Sequence, residues 1–156
     1  MLSFLYLTRS LDNGIFIVWL VYTSSWLCDV FAYFTGMLLG KHKLCPQLSP
    51  KKSVEGAVGG IVIPAIIAGV YGYLIRGYYA PGFPVIPAFA LITAIGAAAS
   101  QLGDLSASAI KRNHDIKDYG KLIPGHGGIL DRFDSMIFTA PMICFVAIIV
   151  SMSQAG

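Results

Sequence analysis

Charged residues are scarce in this sequence. Asp, Glu, Lys and Arg make up 12% of its 156 residues, whereas a soluble domain usually carries about 25%. The three cysteines, Cys28, Cys45 and Cys144, are scattered and odd in number. They indicate neither a disulfide framework nor a metal site, and we interpret them as apolar packing residues. The formal net charge of +3 is modest, and we expect no nucleic-acid partner.

Long apolar runs take up most of the chain. Hydrophobic residues make up 56% of it and the mean hydropathy is +0.70, which is typical of an integral membrane protein. A membrane span needs roughly 20 apolar residues. Four spans can be drawn, over about residues 15–39, 54–75, 85–102 and 136–152. The sequence therefore predicts an all-α, polytopic transmembrane helix bundle that forms a single membrane domain over residues 1–156.

The basic residues are concentrated in two of the connections. Four lysines lie between the first two spans and five Lys or Arg lie before the fourth, whereas residues 77–84 hold none. Loops rich in Lys and Arg stay on the cytoplasmic side. We therefore expect both basic connections to face the cytoplasm and both termini to face the other side, as in a bacterial inner membrane protein. Residues 1–8 are also apolar, and are either an interfacial piece or the tail of a further span.

Small residues recur at four-residue spacing within the spans. Gly36 and Gly40 form one such pair, and Gly56 and Gly60 form another. Because small residues let helix backbones approach closely, we interpret these pairs chiefly as helix-packing faces. The same faces would also serve a homo-oligomer.

The segment at residues 108–134 is polar, although apolar runs flank it. It holds five Lys or Arg, four Asp and two His, and Asp104 stands just before it. Helical spacing places Asp104, Ser108, Lys111 and Arg112 on one helix face. The spacing thus predicts a carboxylate and two cations together at one end of the third span.

A second set of carboxylates follows. Asp131 and Asp134 are three residues apart at the start of the fourth span, and residues 123–128 must form a turn before them. Mg²⁺ binds carboxylate oxygens and keeps positions open for phosphates, while Lys, Arg and glycine-rich backbone hold phosphate oxygens. Residues 104–134 are therefore predicted to be a cytoplasmic catalytic segment for phosphoryl or nucleotidyl transfer. A set of ion pairs that closes a cytoplasmic loop is the alternative.

Two stretches together form a pattern with specific spacing. The first holds Ser108, Lys111, Arg112, Lys117, Asp118, Gly120, Pro124, His126, Gly127, Gly128, Asp131, Arg132 and Asp134. The second holds Asp29, Ala32, Tyr33, Phe34, Gly36, Gly40, Lys41, Ser49, Pro50, Lys51, Lys52, Glu55, Gly56, Gly59 and Gly60. This pattern resembles the phosphatidate cytidylyltransferases, also called CDP-diacylglycerol synthases. Members of that family are usually much longer, so the chain resembles their C-terminal half or somewhat more.

The resemblance implies a membrane reaction in which CTP and phosphatidic acid give CDP-diacylglycerol and pyrophosphate, with Mg²⁺ as cofactor. It implies metal binding by Asp104 and Asp131, with Asp134 as a third ligand or a neighbouring partner. The catalytic cations that it implies are Lys111, Arg112 and Arg132. The substrate-binding residues that it implies are Asp29, Lys51, Lys52, Ser108, Lys117, Asp118, His126, Gly127 and Gly128.

Two acidic residues lie outside the polar segment. Asp29 falls inside an apolar run, where an unpaired charge costs about 2.5–3.5 kcal/mol. We therefore expect Asp29 to face the bundle interior, on the same helix face as Tyr33. Residues 49–55 are interpreted as a loop followed by a helix start, with Ser53 as the cap and Glu55 in the first turn. The helix start is by itself a sufficient explanation of Glu55.

The three histidines have different predicted roles. His126 either shapes a phosphate-binding loop with Gly127 and Gly128 or is a hydrogen-bonding loop residue. His42 and His114 lie outside the tightest matches to the family pattern and are expected to be solvated.

Two rival functions remain open. A CTP-dependent polyprenol or phytol kinase would transfer phosphate to a lipid alcohol, and it would need a group that deprotonates the hydroxyl. The other rival is an inactive, truncated membrane subunit that pairs with another chain.

Overall fold

Apolar helices make up nearly all of the described chain. The computed structural model describes residues 2–45, 49–114 and 130–152. The helices are α1 (Leu2–Ser10), α2 (Gly14–Tyr22), α3 (Cys28–Leu39), α4 (Val54–Ile75), α5 (Val85–Asn113) and α6 (Leu130–Met152). A π-helical turn, Thr23–Leu27, joins α2 to α3, and a 3₁₀ turn, Arg76–Tyr78, follows α4. The prediction of an all-α membrane bundle is confirmed.

Among the described residues, three helical stretches are long and apolar enough to cross a membrane. They are Gly14–Leu39, Val54–Tyr78 and Val85–Asn113. The fourth predicted span falls on α6, whose apolar stretch Ser135–Val150 is shorter. Many large apolar side chains on the outside of the bundle are exposed, as expected where lipid tails rather than water surround a protein. The chain is therefore an integral membrane protein.

The core lies between α2, α4, α5 and α6. One buried cluster of apolar side chains fills it, and it includes Leu20, Phe89, Ile92, Met136 and Ile143.

Buried hydroxyl groups cross between the elements of the same core. The Oγ atoms of Ser25 and Ser135 lie 3.2 Å apart. The Thr139 hydroxyl donates a hydrogen bond to the Gly96 carbonyl oxygen over 3.4 Å. Such bonds hold membrane helices together where burial of apolar surface contributes little.

The apolar N-terminal stretch forms a helix of its own. Helix α1 has nine residues, and it packs on α2 and α6. Asn13 reverses the chain between α1 and α2 with a φ of 57°, in the left-handed region that Asn tolerates better than most residues. Residues 2–10 are therefore a helix packed on the bundle, and the two predicted alternatives, an interfacial piece and the tail of a further span, both stay predictions.

A two-stranded ribbon connects α3 to α4. Strand β1 (Lys43–Cys45) pairs antiparallel with β2 (Ser49–Ser53), with Lys43 opposite Ser53. The interpretation of residues 49–53 as a loop is wrong. Pro50 cannot donate to a ladder, but an isolated ribbon has only edge strands, where proline is tolerated. The ribbon brings basic residues back onto the end of the bundle where α4 begins.

Candidate functional site

A cavity of about 610 Å³ lies between α3, α4, α5 and the ribbon. It lies at the end of the bundle where α3 ends and α4 begins. The residues with polar side chains that line it are Asp29, Tyr33, Lys43, Lys52, Ser53, Gln101 and Asp104. Two carboxylates and two ammonium groups therefore share one cavity at this end of the bundle.

Small residues hold α3 and α4 close together beneath this cavity. A Cβ atom on Gly56 would lie 2.6 Å from the Ala32 carbonyl oxygen, and one on Gly60 would lie 2.8 Å from the Cys28 carbonyl oxygen. A Cβ on Gly36 would lie 2.9 Å from the Ser53 hydroxyl oxygen. The prediction that these glycines pack helices is confirmed, and the packing is between α3 and α4 of the same chain.

The junction between β2 and α4 fixes the position of Lys52. The Ser53 hydroxyl accepts a hydrogen bond from the Gly56 backbone N–H at 3.1 Å, so Ser53 caps α4 as the sequence predicts. A side-chain acceptor at this position satisfies a helix-end N–H that otherwise lacks a partner. Lys52 directly precedes the cap, and its ammonium group forms an ion pair with the Asp104 carboxylate.

Helix α5 brings Asp104 to the cavity. One turn earlier, Gln101 donates from Nε2 to the Ala57 carbonyl oxygen at 2.9 Å and contacts the Cys28 sulfur at 3.4 Å. Gln101 thus ties α5 to both α3 and α4. Sequence reasoning missed this residue. A lone amide inside the third predicted span was the available signal, since a buried amide in a membrane helix needs hydrogen-bond partners.

Glu55 holds the turn that leads into the ribbon. Its carboxylate accepts hydrogen bonds from the backbone N–H groups of Lys41 and His42 at 3.2 Å, and its Oε1 lies 2.7 Å from the His42 ring nitrogen Nδ1. Glu55 lies in the first turn of α4, as predicted, but it also fixes the path of the chain toward β1. His42 is largely exposed, as expected, and it is bonded to Glu55.

Asp29 and Tyr33 lie on the same side of α3, as their spacing predicts. Both line the cavity. Asp29 is exposed at the cavity wall, however, rather than buried in the bundle interior. Asp29 therefore faces the cavity between α3, α4 and α5, and its side chain is accessible there.

The last turns of α5 carry three further predicted residues. Ser108 and Lys111 are half-buried and Arg112 is exposed, on the continuous helix that their spacing with Asp104 predicts. Within the described ranges, none of these three lines the cavity. Lys111 and Arg112 lie in the last turn of α5, where cations interact favourably with the helix dipole. His114, just beyond, is exposed as predicted.

The remaining predicted site residues fall outside what the structure describes. These are Lys117, Asp118, His126, Gly127 and Gly128, together with the side chains of Lys51, Asp131, Arg132 and Asp134. Their predicted roles stay predictions. Among the side chains that are described, no three His, Cys, Asp or Glu residues come together as a metal site. The assignment of a metal to Asp104, Asp131 and Asp134 is therefore untested.

These features define a membrane-embedded helix bundle with a charged cavity at one end. The sequence matches the cytidylyltransferase family over residues 1–150, and the chain belongs to that family. It is 44% identical over 139 residues to a phosphatidate cytidylyltransferase of Bacillus subtilis (strain 168), an alignment that covers 88% of this chain and 50% of that protein.

Two further bacterial relatives give similar matches. The chain is 41% identical over 142 residues to a phosphatidate cytidylyltransferase of Staphylococcus saprophyticus, covering 91% of this chain and 53% of that protein. It is 40% identical over 123 residues to a phosphatidate cytidylyltransferase of Thermotoga maritima, an alignment that covers 79% of this chain and 46% of that protein. The chain thus spans about half the length of the curated relatives it matches.

Proposed function

We propose that this chain carries the site at which CTP and phosphatidic acid react to give CDP-diacylglycerol and pyrophosphate. The observation that carries the proposal is the cavity between α3, α4 and α5, which combines two carboxylates with two lysines. Membership of the cytidylyltransferase family and the printed names of the relatives support cytidylyl transfer over a CTP-dependent lipid kinase.

The reaction needs no nucleophile from the protein. A phosphate oxygen of phosphatidic acid, already anionic at neutral pH, attacks the α-phosphorus of CTP. The bond from that phosphorus to the oxygen bridging to the β-phosphate breaks, and pyrophosphate leaves with the electron pair. The protein's work is to position the two phosphates and to stabilise their charge. Lys43 and Lys52 line the cavity and are suited to this work, with Lys111, Arg112 and Arg132 as further predicted cations.

The donor chemistry of the cavity fits Mg²⁺. Asp29 and Asp104 offer carboxylate oxygens, which this ion prefers. The Cys28 thiol, a softer ligand on the same helix, is buried and hydrogen-bonded to the Ala97 carbonyl oxygen. Asp104 would hold the ion together with Asp131, and Asp134 would be a third ligand or a neighbouring partner. When bound, the ion would neutralise charge on the triphosphate.

The proposed orientation places the cavity on the cytoplasmic side, where CTP is available. The lysines at positions 41, 43, 51 and 52 support this sidedness. Cysteines introduced at positions 47 and 80, in a background without native cysteines, should react with an impermeant reagent from opposite sides of the membrane. Labelling of both positions from the same side would contradict the arrangement of spans.

The activity itself is tested with the purified chain, phosphatidic acid, labelled CTP and Mg²⁺, scored for CDP-lipid. Asp104→Asn removes the charge and keeps the size, and it should lower turnover by two or more orders of magnitude, about the scale of losing one electrostatic group in an active site. Retained helix content by circular dichroism is the control. Near-normal turnover in this variant would contradict the role of Asp104. Absence of CDP-lipid from the unaltered chain would instead favour the inactive-subunit alternative.

The same preparation also tests self-association. The Gly36 and Gly56 faces pack against one another within the chain, so a homo-oligomer would need a different surface. Oligomeric mass and CDP-lipid formation measured in one detergent preparation relate the two properties. Full activity from a strict monomer would show that no partner copy is required.

A further inference from the structure

The Lys52–Asp104 ion pair joins two residues with different expected partners. The family pattern implies a phosphate for Lys52 and a metal ion for Asp104, yet here the two side chains bind each other across the cavity. Each side chain is 29% exposed, so the pair is accessible to incoming ligands. We propose that Lys52 is an exchangeable counter-ion, which occupies Asp104 in the absence of ligand and is released to a phosphate when a divalent cation binds. This inference rests on the proposed function for the identity of the phosphate ligand.

The two partners differ in their freedom to move. Asp104 has a short side chain on a long helix, and Gln101, one turn away, ties that helix to the Ala57 carbonyl oxygen. Lys52 has a fixed backbone beside the Ser53 cap, but its ammonium group ends a flexible four-carbon stem. The ammonium group can therefore leave Asp104 without any change in the fold.

The charges of the cavity favour an exchange rather than simple addition. The charged side chains that line it in the described part of the chain are Asp29, Asp104, Lys43 and Lys52, so their formal charges cancel. A divalent cation at Asp104 would lie close to the Lys52 ammonium group, and like charges at that distance repel strongly. A phosphate group nearby would attract the displaced ammonium group. Metal and nucleotide should therefore each strengthen binding of the other, as reciprocal linkage requires.

Mn²⁺ binding to the purified chain, followed by electron paramagnetic resonance without CTP or lipid, tests the exchange. Lys52→Met should bind Mn²⁺ at least about tenfold more tightly than the unaltered chain, because a competing charge has gone. Lys43→Met is the matched control, since it removes the same charge from the same cavity and leaves the pair intact. Its effect should be no more than about threefold. Combining Asp104→Asn with Lys52→Met should abolish the gain in Mn²⁺ affinity that Lys52→Met gives alone.

A second pair of variants guards against a folding defect. Lys52→Gln should reproduce the tighter Mn²⁺ binding, and Lys52→Arg should bind Mn²⁺ like the unaltered chain because it keeps the charge. With Mn²⁺ present, Lys52→Met should bind labelled CTP more weakly in equilibrium dialysis. Equal Mn²⁺ affinities for Lys52→Met and Lys43→Met would overturn the proposal. Because the Mn²⁺ titration contains no substrate, its outcome does not depend on whether the chain makes CDP-lipid.

Discussion

Replacing Gly56 with alanine tests how closely α3 and α4 must approach. The added Cβ would lie 2.6 Å from the Ala32 carbonyl oxygen and 3.1 Å from the Gly36 Cα atom. Both are backbone atoms, so no side-chain rotation relieves the clash and the helices must separate. Gly69→Ala on the same helix is the matched control, because its nearest neighbour, a methyl group of Ile86, is 3.6 Å away.

The expected size of the effect follows from two opposing contributions. Overpacking of a tight interface costs about 1–3 kcal/mol. Alanine inside a helix returns about 0.5–1 kcal/mol relative to glycine. Gly56→Ala should therefore lower the free energy of unfolding by up to about 2.5 kcal/mol, whereas Gly69→Ala should raise it by up to about 1 kcal/mol.

The measurement is unfolding in mixed micelles with increasing sodium dodecyl sulfate, followed by circular dichroism for both variants in parallel. Because Gly56 also lines the cavity, CTP binding should weaken in the Gly56 variant and stay unchanged in the Gly69 variant. If Gly56→Ala were as stable as Gly69→Ala, the close approach of α3 and α4 described above would be refuted.

Two further predictions concern buried polar groups. Gln101→Leu removes the donor to the Ala57 carbonyl oxygen and should destabilise the chain by about 1–3 kcal/mol. An unchanged unfolding midpoint would contradict the role of Gln101 in holding α5 against α4. The Tyr79 hydroxyl is buried without a hydrogen-bond partner among the described residues, so Tyr79→Phe should be neutral or stabilising by up to about 1 kcal/mol. Burial also raises the pKa of Tyr79 from 10.0 to about 12, so the unfolded chain ionises first and stability is lost as the pH rises from about 10 to about 12. Unfolding midpoints measured across this pH range should fall less in Tyr79→Phe than in the unaltered chain. If the midpoints of the two proteins fell in parallel with pH, that result would argue against the raised pKa of Tyr79.

Helix α4 shows how well local signals predict structure. The predicted span over residues 54–75 has the same bounds as the helix, because Ser53 supplies a cap and Glu55 a favourable charge at its start. Helix α5 is different. Its predicted span ends near Leu102 where hydropathy falls, but the helix runs on to Asn113. Hydropathy reports the apolar length of a helix, whereas the spacing of Asp104, Ser108 and Lys111 correctly predicts its continuation.

The parts that sequence reasoning missed depend on distant partners. The sequence of the ribbon has no clear alternation of apolar and polar residues, which is the pattern that predicts a strand with one buried face. The π-helical turn at Thr23–Leu27 has no reliable sequence signal. The Lys52–Asp104 pair joins residues far apart in the chain, and each residue on its own is equally well explained as a ligand-binding group.

In the stretch formed by β2 and the start of α4, the number of residues matters more than the identity of most of them. Within residues 52–56, Lys52 reaches the cavity, Ser53 caps α4 and Gly56 allows α3 and α4 to pack closely. Because successive strand residues point to opposite faces, inserting a single residue between Lys52 and the Ser53 cap would turn the Lys52 side chain away from Asp104. Substitutions in the ribbon should therefore be tolerated more readily than insertions or deletions, and natural variation in chain length should fall outside residues 49–56.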